Sequence, residues 1–164
     1  MDEEKLKSEE LKRIFEQNNV VLAYIFGSRA GKTAGLLSDY DFAVLFSSNI
    51  GRKEYFDREL KILKDLKAFL ETDQIDLVNL NKSKNPLLRY SATLLGKPVF
   101  AEDGKIRFQM ENSIMKEYED TKYLRKIQHY FLTKHLEKGT FGKGELLAKS
   151  KYLEKYVAHK QRSN

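Results

Sequence analysis

Two apolar runs separated by a short polar segment constrain the fold of this 164-residue chain more than any other feature. The first run is Val20–Phe26 and the second covers residues 42–46. Apolar runs of this length that are bounded by Gly and Ser-Asp predict adjacent strands. Because Val20–Phe26 is almost continuously apolar, we expect that strand to be buried on both faces. The segment between them, residues 29–37, is too long for a tight hairpin and predicts a short helix or turn.

Two carboxylates, Asp39 and Asp41, stand at the beginning of the second run. Side chains two residues apart on a strand point to the same face, so we expect these two to lie close together. Neighbouring carboxylates repel each other unless a cation joins them. Magnesium prefers such hard oxygen ligands together with water and substrate phosphates. The pair therefore predicts a magnesium site.

The dipeptide Gly27-Ser28 follows the first run directly. Glycine allows the backbone to approach a ligand closely. Amide N–H groups and the Ser28 hydroxyl at such a turn are suited to binding phosphate. With the two carboxylates opposite, this turn predicts a site for a metal-bound nucleoside triphosphate.

A third carboxylate, Asp76, lies among apolar residues in the predicted strand 74–80. An ionisable group in that setting requires a reason. One reason is functional: Asp76 is a third metal ligand, or the general base for an attacking hydroxyl. The other is structural: Asp76 lies on a solvated strand face. Asp73 is a rival candidate, but it lies in the preceding turn.

The residues Gly27-Ser28, followed by ten residues and Asp39-Tyr40-Asp41, resemble the G-S-x10-D-x-D signature of the polymerase-beta-type nucleotidyltransferase superfamily. Asp76 matches the later carboxylate of that family. The resemblance is to the minimal nucleotidyltransferases in particular and covers residues 20–100. It implies an α/β (α+β) fold, in which a polymerase-beta-like nucleotidyltransferase sheet is flanked by helices and followed by a C-terminal helical extension.

The same resemblance implies the site residues, the cofactor and the donor. It implies two magnesium ions and ATP. Two interpretations of Arg29 stay open, because its charge could offset that of the leaving pyrophosphate or its side chain could face solvent. The catalytic and metal-binding residues that the resemblance implies are Asp39, Asp41 and Asp76, and the nucleotide-binding residues are Gly27, Ser28, Arg29 and Ser38.

Composition excludes several other classes of site. The chain has no cysteine, which removes disulfides, thiolate metal sites and cysteine nucleophiles. No apolar run reaches the length of a membrane span, and the acidic, polar N-terminus does not resemble a secretory signal. We therefore expect a cytoplasmic protein that does not contact a membrane.

The turn at residues 102–104 is the predicted domain boundary, between a nucleotidyltransferase domain, residues 1–103, and a C-terminal helical extension, residues 104–164. Other patterns predict helices at residues 3–18, 52–71 and 86–95, and an extended edge segment at 97–100. In the extension, the absence of Gly and Pro predicts one long helix over residues 105–137, followed by a helix at 145–158.

The basic charge is concentrated in this extension. Residues 105–164 carry 14 Lys/Arg and 7 Asp/Glu, whereas residues 1–104 carry 16 and 17. Such asymmetry points to nucleic acid or an acidic protein surface as a partner. Solvated helix faces explain it equally simply, and we favour them because no basic run is dense enough to indicate a nucleic-acid interface.

The long helix resembles the C-terminal helix of antitoxins in HEPN–minimal nucleotidyltransferase pairs. The resemblance implies that the chain adds AMP from ATP to a tyrosine of a partner HEPN ribonuclease toxin, in a hetero-oligomer formed through the C-terminal helices. Two alternatives stay open. The first is a non-catalytic antitoxin that neutralises its partner by binding. The second is a nucleotidyltransferase that acts on RNA ends or on a small molecule such as an antibiotic.

Overall fold

The computed structural model of the chain describes residue 6, residues 8–31 and residues 38–140. This part of the chain contains four strands, namely β1 (Val20–Phe26), β2 (Tyr40–Phe46), β3 (Ile75–Asn79) and β4 (Lys97–Ala101). It also contains five α-helices, namely α1 (Glu9–Gln17), α2 (Tyr55–Leu70), α3 (Pro86–Thr93), α4 (Gly104–Asp120) and α5 (Lys122–Glu137). Short 3-10 turns at Gly27–Arg29 and Arg52–Glu54 precede β2 and α2.

The four strands form one mixed sheet in the order β3-β2-β1-β4. Strand β1 pairs antiparallel with both β2 and β4, and β2 pairs parallel with β3. The central position of β1 explains why every residue except the last is buried, as its continuous apolar sequence predicted. Strand β4 is at the edge of the sheet. Pro98, which has no backbone N–H, is tolerated there because one side of an edge strand makes no hydrogen bonds to a neighbouring strand.

Helices cover both faces of the sheet. On one face, Phe15 of α1 and Ile62 and Leu66 of α2 pack against alternate strand residues such as Phe42, and all four side chains are fully buried. On the other face, Ala92 of α3 and the half-buried Ile106 and Met110 of α4 pack against a smaller cluster around Leu22, Tyr24 and Ala43. The α/β fold with a sheet flanked by helices is therefore confirmed.

The helix predicted over residues 105–137 is wrong in one respect, because the chain forms two helices that meet at Thr121. The Thr121 hydroxyl donates to the carbonyl oxygens of Glu117, at 2.8 Å, and Tyr118, at 3.2 Å. At Thr121 the backbone leaves the helical region, with φ of −90° and ψ of 1°, so the chain does not continue as one helix. The sequence shows no Gly or Pro at the break, so the pattern did not reveal it.

The chain divides into two compact units, Met1–Thr121 and Lys122–Asn164. Helix α4 thus belongs to the unit that contains the sheet, and α5 belongs to the second unit. The predicted division into residues 1–103 and 104–164 stays a prediction. The helix predicted at 145–158 lies outside the described residues. Among the described residues, no helix combines the length and apolar character that a membrane span needs.

Candidate active site

The end of β1 and the beginnings of β2 and β3 meet at one edge of the sheet. Phe26 is the partner of Asp41 across the antiparallel pair, and Asp41 is the partner of Asp76 across the parallel pair. The turn that follows β1 and the two strand carboxylates therefore lie side by side. Because strand side chains alternate, Asp41 and Asp76 share a face with Ala43 and Val78, which is the face covered by α3 and α4.

Gly27 brings the turn into direct contact with Asp41. Its φ of +68° lies in the left-handed region, which residues with a side chain rarely adopt. A Cβ atom added at Gly27 would overlap Oδ2 of Asp41 and lie 3.0 Å from its Cγ. The carboxylate thus lies over the Cα of Gly27, and both the backbone conformation and the lack of space require glycine here.

Two of the predicted carboxylates, Asp39 and Asp76, act electrostatically on the third, Asp41. Burial raises the pKa of Asp41, and the charges of Asp76 and Asp39 raise it further. Asp41 is half-buried, whereas Asp39 and Asp76 are exposed. A nearby cation stabilises the charged form of a carboxylate whose pKa is raised in this way.

This donor set fits magnesium. In the part of the chain that the structure describes, no three acidic or histidine side chains converge closely enough to form a complete metal-binding group. Magnesium does not need such a group, because it is usually held by one or two carboxylates, several waters and substrate phosphates. Asp41 and its neighbours are therefore the side chains that could hold such an ion.

Asp39 lies just before β2, although the argument from strand alternation treated it as a strand residue. Strand β2 begins at Tyr40, whose amide donates to the carbonyl oxygen of Gln74 at 2.9 Å. The strand-alternation argument therefore does not fix the direction of the Asp39 side chain. Its charge nevertheless contributes, after burial and the charge of Asp76, to raising the pKa of Asp41.

Arg29 connects the turn after β1 to the beginning of β2. Its Nε donates to the carbonyl oxygen of Ser38 at 2.7 Å, and its guanidinium carbon lies 3.7 Å from the centre of the Tyr40 ring. Arg29 and Ser38 were predicted from the sequence as nucleotide-binding residues, whereas Tyr40 was not predicted. An aromatic residue between the two aspartates was the available signal, since strand alternation directs it to the face opposite Asp41.

The rival carboxylate, Asp73, is placed differently from Asp76. It lies in the turn before β3, its side chain is 96% exposed, and Lys67 approaches it at 3.3 Å. Asp76 is in register with Asp41, and Asp73 is not part of the ladder. The geometry therefore favours Asp76 as the third carboxylate of the site.

The sequence matches the family described as polymerase beta, nucleotidyltransferase over residues 9–105. This range includes the Gly27-Ser28 turn and all three carboxylates. No sequence match to a curated protein was found.

Several solved structures share the fold. A chain of a toxin–antitoxin crystal structure with AMP-PNP superimposes with a TM-score of 0.62 and 19% identity, over 76% of this chain and 96% of that chain. A structure of a tri-AMPylated Shewanella oneidensis HEPN toxin in complex with an MNT antitoxin gives 0.61 and 18%, over 81% and 99%. The toxin–antitoxin MntA-HepT gives 0.58 and 18%, over 79% and 98%. At these identities the similarity establishes the fold.

Proposed function

The chain belongs to the polymerase beta nucleotidyltransferase family, and on that premise we propose that it is an antitoxin enzyme that transfers AMP from ATP to a tyrosine of a partner HEPN ribonuclease toxin. The family membership makes it a nucleotidyltransferase. We propose in addition that the donor is ATP, that the metal is magnesium and that the acceptor is a tyrosine of the toxin.

One observation carries the proposal, namely the contact between the Gly27 turn and the Asp41 carboxylate, with Asp76 in register beside it. A triphosphate bound at the Gly27-Ser28 turn would lie next to the carboxylates, so that its phosphates and the acidic side chains share the same cation. Asp39, Asp41 and Asp76 are the candidate magnesium ligands, and Ser28 and Ser38 contribute polar groups on the nucleotide side.

The reaction forms a bond between the tyrosine oxygen and the α phosphorus of ATP. It breaks the bond from that phosphorus to the oxygen that bridges to the β phosphorus, and pyrophosphate leaves. Magnesium held by Asp39, Asp41 and Asp76 would supply stabilisation of the charge that develops during this displacement. Asp76, which is exposed at the sheet edge, either accepts the tyrosine proton or contributes to a second metal. The protein otherwise acts by positioning the two substrates.

The acceptor is proposed from the fold similarity and from the surface of α5. The similar structures are toxin–antitoxin complexes, and one is described with an AMPylated HEPN toxin. On α5, large apolar side chains are exposed, including Tyr123 (72%) and Leu136 (59%). Exposed apolar side chains of this size on one helix are typical of a protein-binding surface. We therefore assign the contact with the toxin to the C-terminal helices.

Toxin neutralisation by matched variants tests whether catalysis is required. The partner is the protein encoded beside this chain, and its toxicity is measured as growth of cells that co-express both proteins. We expect growth with the wild-type chain and with Asp73→Asn, and no growth with Asp39→Asn/Asp41→Asn, although that double variant still co-purifies with the partner. Full neutralisation by the double variant would support the non-catalytic alternative instead.

A further inference from the structure

One side chain, Arg29, contacts both ends of the segment that links β1 to β2. It belongs to the 3-10 turn that follows β1, and its Nε bonds the carbonyl oxygen of Ser38 at 2.7 Å. The same guanidinium lies against the Tyr40 ring, at 3.7 Å from the ring centre. These contacts join the turn that follows β1 to the beginning of β2.

The two contacts lie on either side of Asp39. The Ser38 carbonyl belongs to the same planar peptide group as the Asp39 amide, so the bond to Arg29 orients that group. On the other side, Tyr40 is 5% exposed, and its ring stacks on that of Phe42 with the centres 6.3 Å apart. Asp39 itself is exposed and lies before the first strand residue. Its position therefore depends on the fixed residues before and after it.

We propose that Arg29 is a positioning residue that holds Asp39 in place beside Asp41 and the Gly27 turn. The inference deepens the proposed function and rests on it where it concerns the reaction. It differs from the role predicted from the sequence, in which the charge of Arg29 acts on the leaving pyrophosphate.

Only arginine combines the two contacts. Its guanidinium is planar, so the face can stack on an aromatic ring while Nε donates in the plane. A lysine has the same charge but a compact ammonium group, which cannot present a flat face and an in-plane donor together. Arg29→Lys therefore keeps the positive charge and removes the planar group that makes both contacts.

The test compares Arg29→Lys, Tyr40→Leu and the double variant in the AMP-transfer reaction. Loss of a residue that orients a metal ligand is expected to raise the magnesium concentration for half-maximal rate by about 10- to 100-fold. Because both substitutions disrupt one connection, the double variant should stay within about twofold of the worse single variant. Tyr40→Phe keeps the aromatic ring and is the conservative control. When Arg29→Lys is added to Tyr40→Phe, it should raise the required magnesium concentration as much as it does in the wild-type chain.

Two further readouts do not depend on turnover. Amide hydrogen exchange at residues 38–40 is expected to accelerate in Arg29→Lys. The second readout is binding of magnesium and of α,β-methylene ATP, an analogue in which the bond that reacts cannot break. In Arg29→Lys, the affinity for magnesium should fall more than the affinity for the nucleotide. Thermal unfolding of each variant shows whether it is folded. Should Tyr40→Leu fail to fold, Arg29→Lys and Tyr40→Phe still decide the question.

The opposite pattern would overturn the inference. If Arg29→Lys raises the KM for ATP by the same factor with or without replacement of Tyr40, and exchange at residues 38–40 is unchanged, Arg29 acts on the phosphates. If the wild-type chain transfers no AMP to its partner, the proposed function fails, whereas the exchange and binding results still decide the role of Arg29.

Discussion

At the scale of single residues, Gly27 determines whether the two halves of the site can approach each other. The glycine combines a positive φ with contact between its Cα and the Asp41 carboxylate. Either condition alone disfavours a side chain. Gly27 is exposed, so packing in the core does not require glycine here. The requirement comes instead from the backbone conformation and from the contact with Asp41.

Gly27→Ala is expected to lower the AMP-transfer rate by at least about 100-fold, since the new methyl group displaces Asp41. The left-handed conformation should also cost about 1–2 kcal/mol in the free energy of unfolding. Gly104→Ala is the matched control, because a Cβ atom at that helix position meets nothing within 4 Å. Rate measurements and urea unfolding compare the two variants. An equal effect at both positions would contradict the assignment.

Asp76 and Asp73 form a second matched pair. Asp76→Asn should reduce the transfer rate by about 100-fold or more, because the proposed metal ligand or general base is lost. Its melting temperature should not fall, since one of the charges that raise the pKa of Asp41 is removed. Asp73→Asn should leave the rate unchanged. A large rate loss in Asp73→Asn alone would transfer the third-carboxylate role to that residue.

At the scale of secondary-structure elements, a polar connection fixes α4 to the centre of the sheet. The Tyr24 hydroxyl, on the buried strand β1, donates to Oε1 of Glu111 at 3.1 Å, and Arg107 donates to the same oxygen at 2.7 Å. Arg89 of α3 bonds both carboxylate oxygens of Glu117. These contacts explain why α4 belongs to the first compact unit although it follows the predicted domain boundary.

Tyr24 makes stability depend on pH in the alkaline range. Burial, followed by the charge of Glu111, raises the pKa of Tyr24 above its ordinary value of 10.0. The unfolded chain therefore ionises first, and stability that is complete below pH 10 falls as the pH rises further. Tyr24→Phe should be about 1 kcal/mol less stable at neutral pH, through loss of the hydrogen bond.

The Tyr24→Phe variant should also show a flatter decline above pH 10, where it has no hydroxyl to ionise. Urea unfolding of both proteins between neutral and alkaline pH measures the difference. Parallel declines in the two proteins would show that Tyr24 is not the group responsible.

At the scale of the whole molecule, the sequence predicted those features that depend on local pattern. Val20–Phe26 was predicted as a strand because its apolar run is bounded on both sides, and Asp76 was singled out because it interrupts another. The Arg29–Tyr40 contact and the Tyr24–Glu111 bond were not predicted. The latter joins residues 87 positions apart, and such contacts arise only from tertiary packing.

The two compact units predict a separation of functions. A chain that ends at Thr121 should fold with a cooperative thermal transition and bind magnesium with α,β-methylene ATP, because the sheet, the Gly27 turn and the carboxylates all lie within the first unit. It should lose the complex with its toxin, as judged by size-exclusion chromatography. Retention of the complex would show that the C-terminal helices do not form the interface.

The most direct test of the proposed function is the intact mass of the partner toxin after incubation with this chain, ATP and magnesium. We predict a mass increase of one or more AMP groups, mapped by peptide sequencing to a tyrosine. The increase should be absent without magnesium and absent with Asp39→Asn/Asp41→Asn. An unchanged mass, under conditions in which the two proteins form a stable complex, would contradict AMP transfer and leave binding as the means of neutralisation.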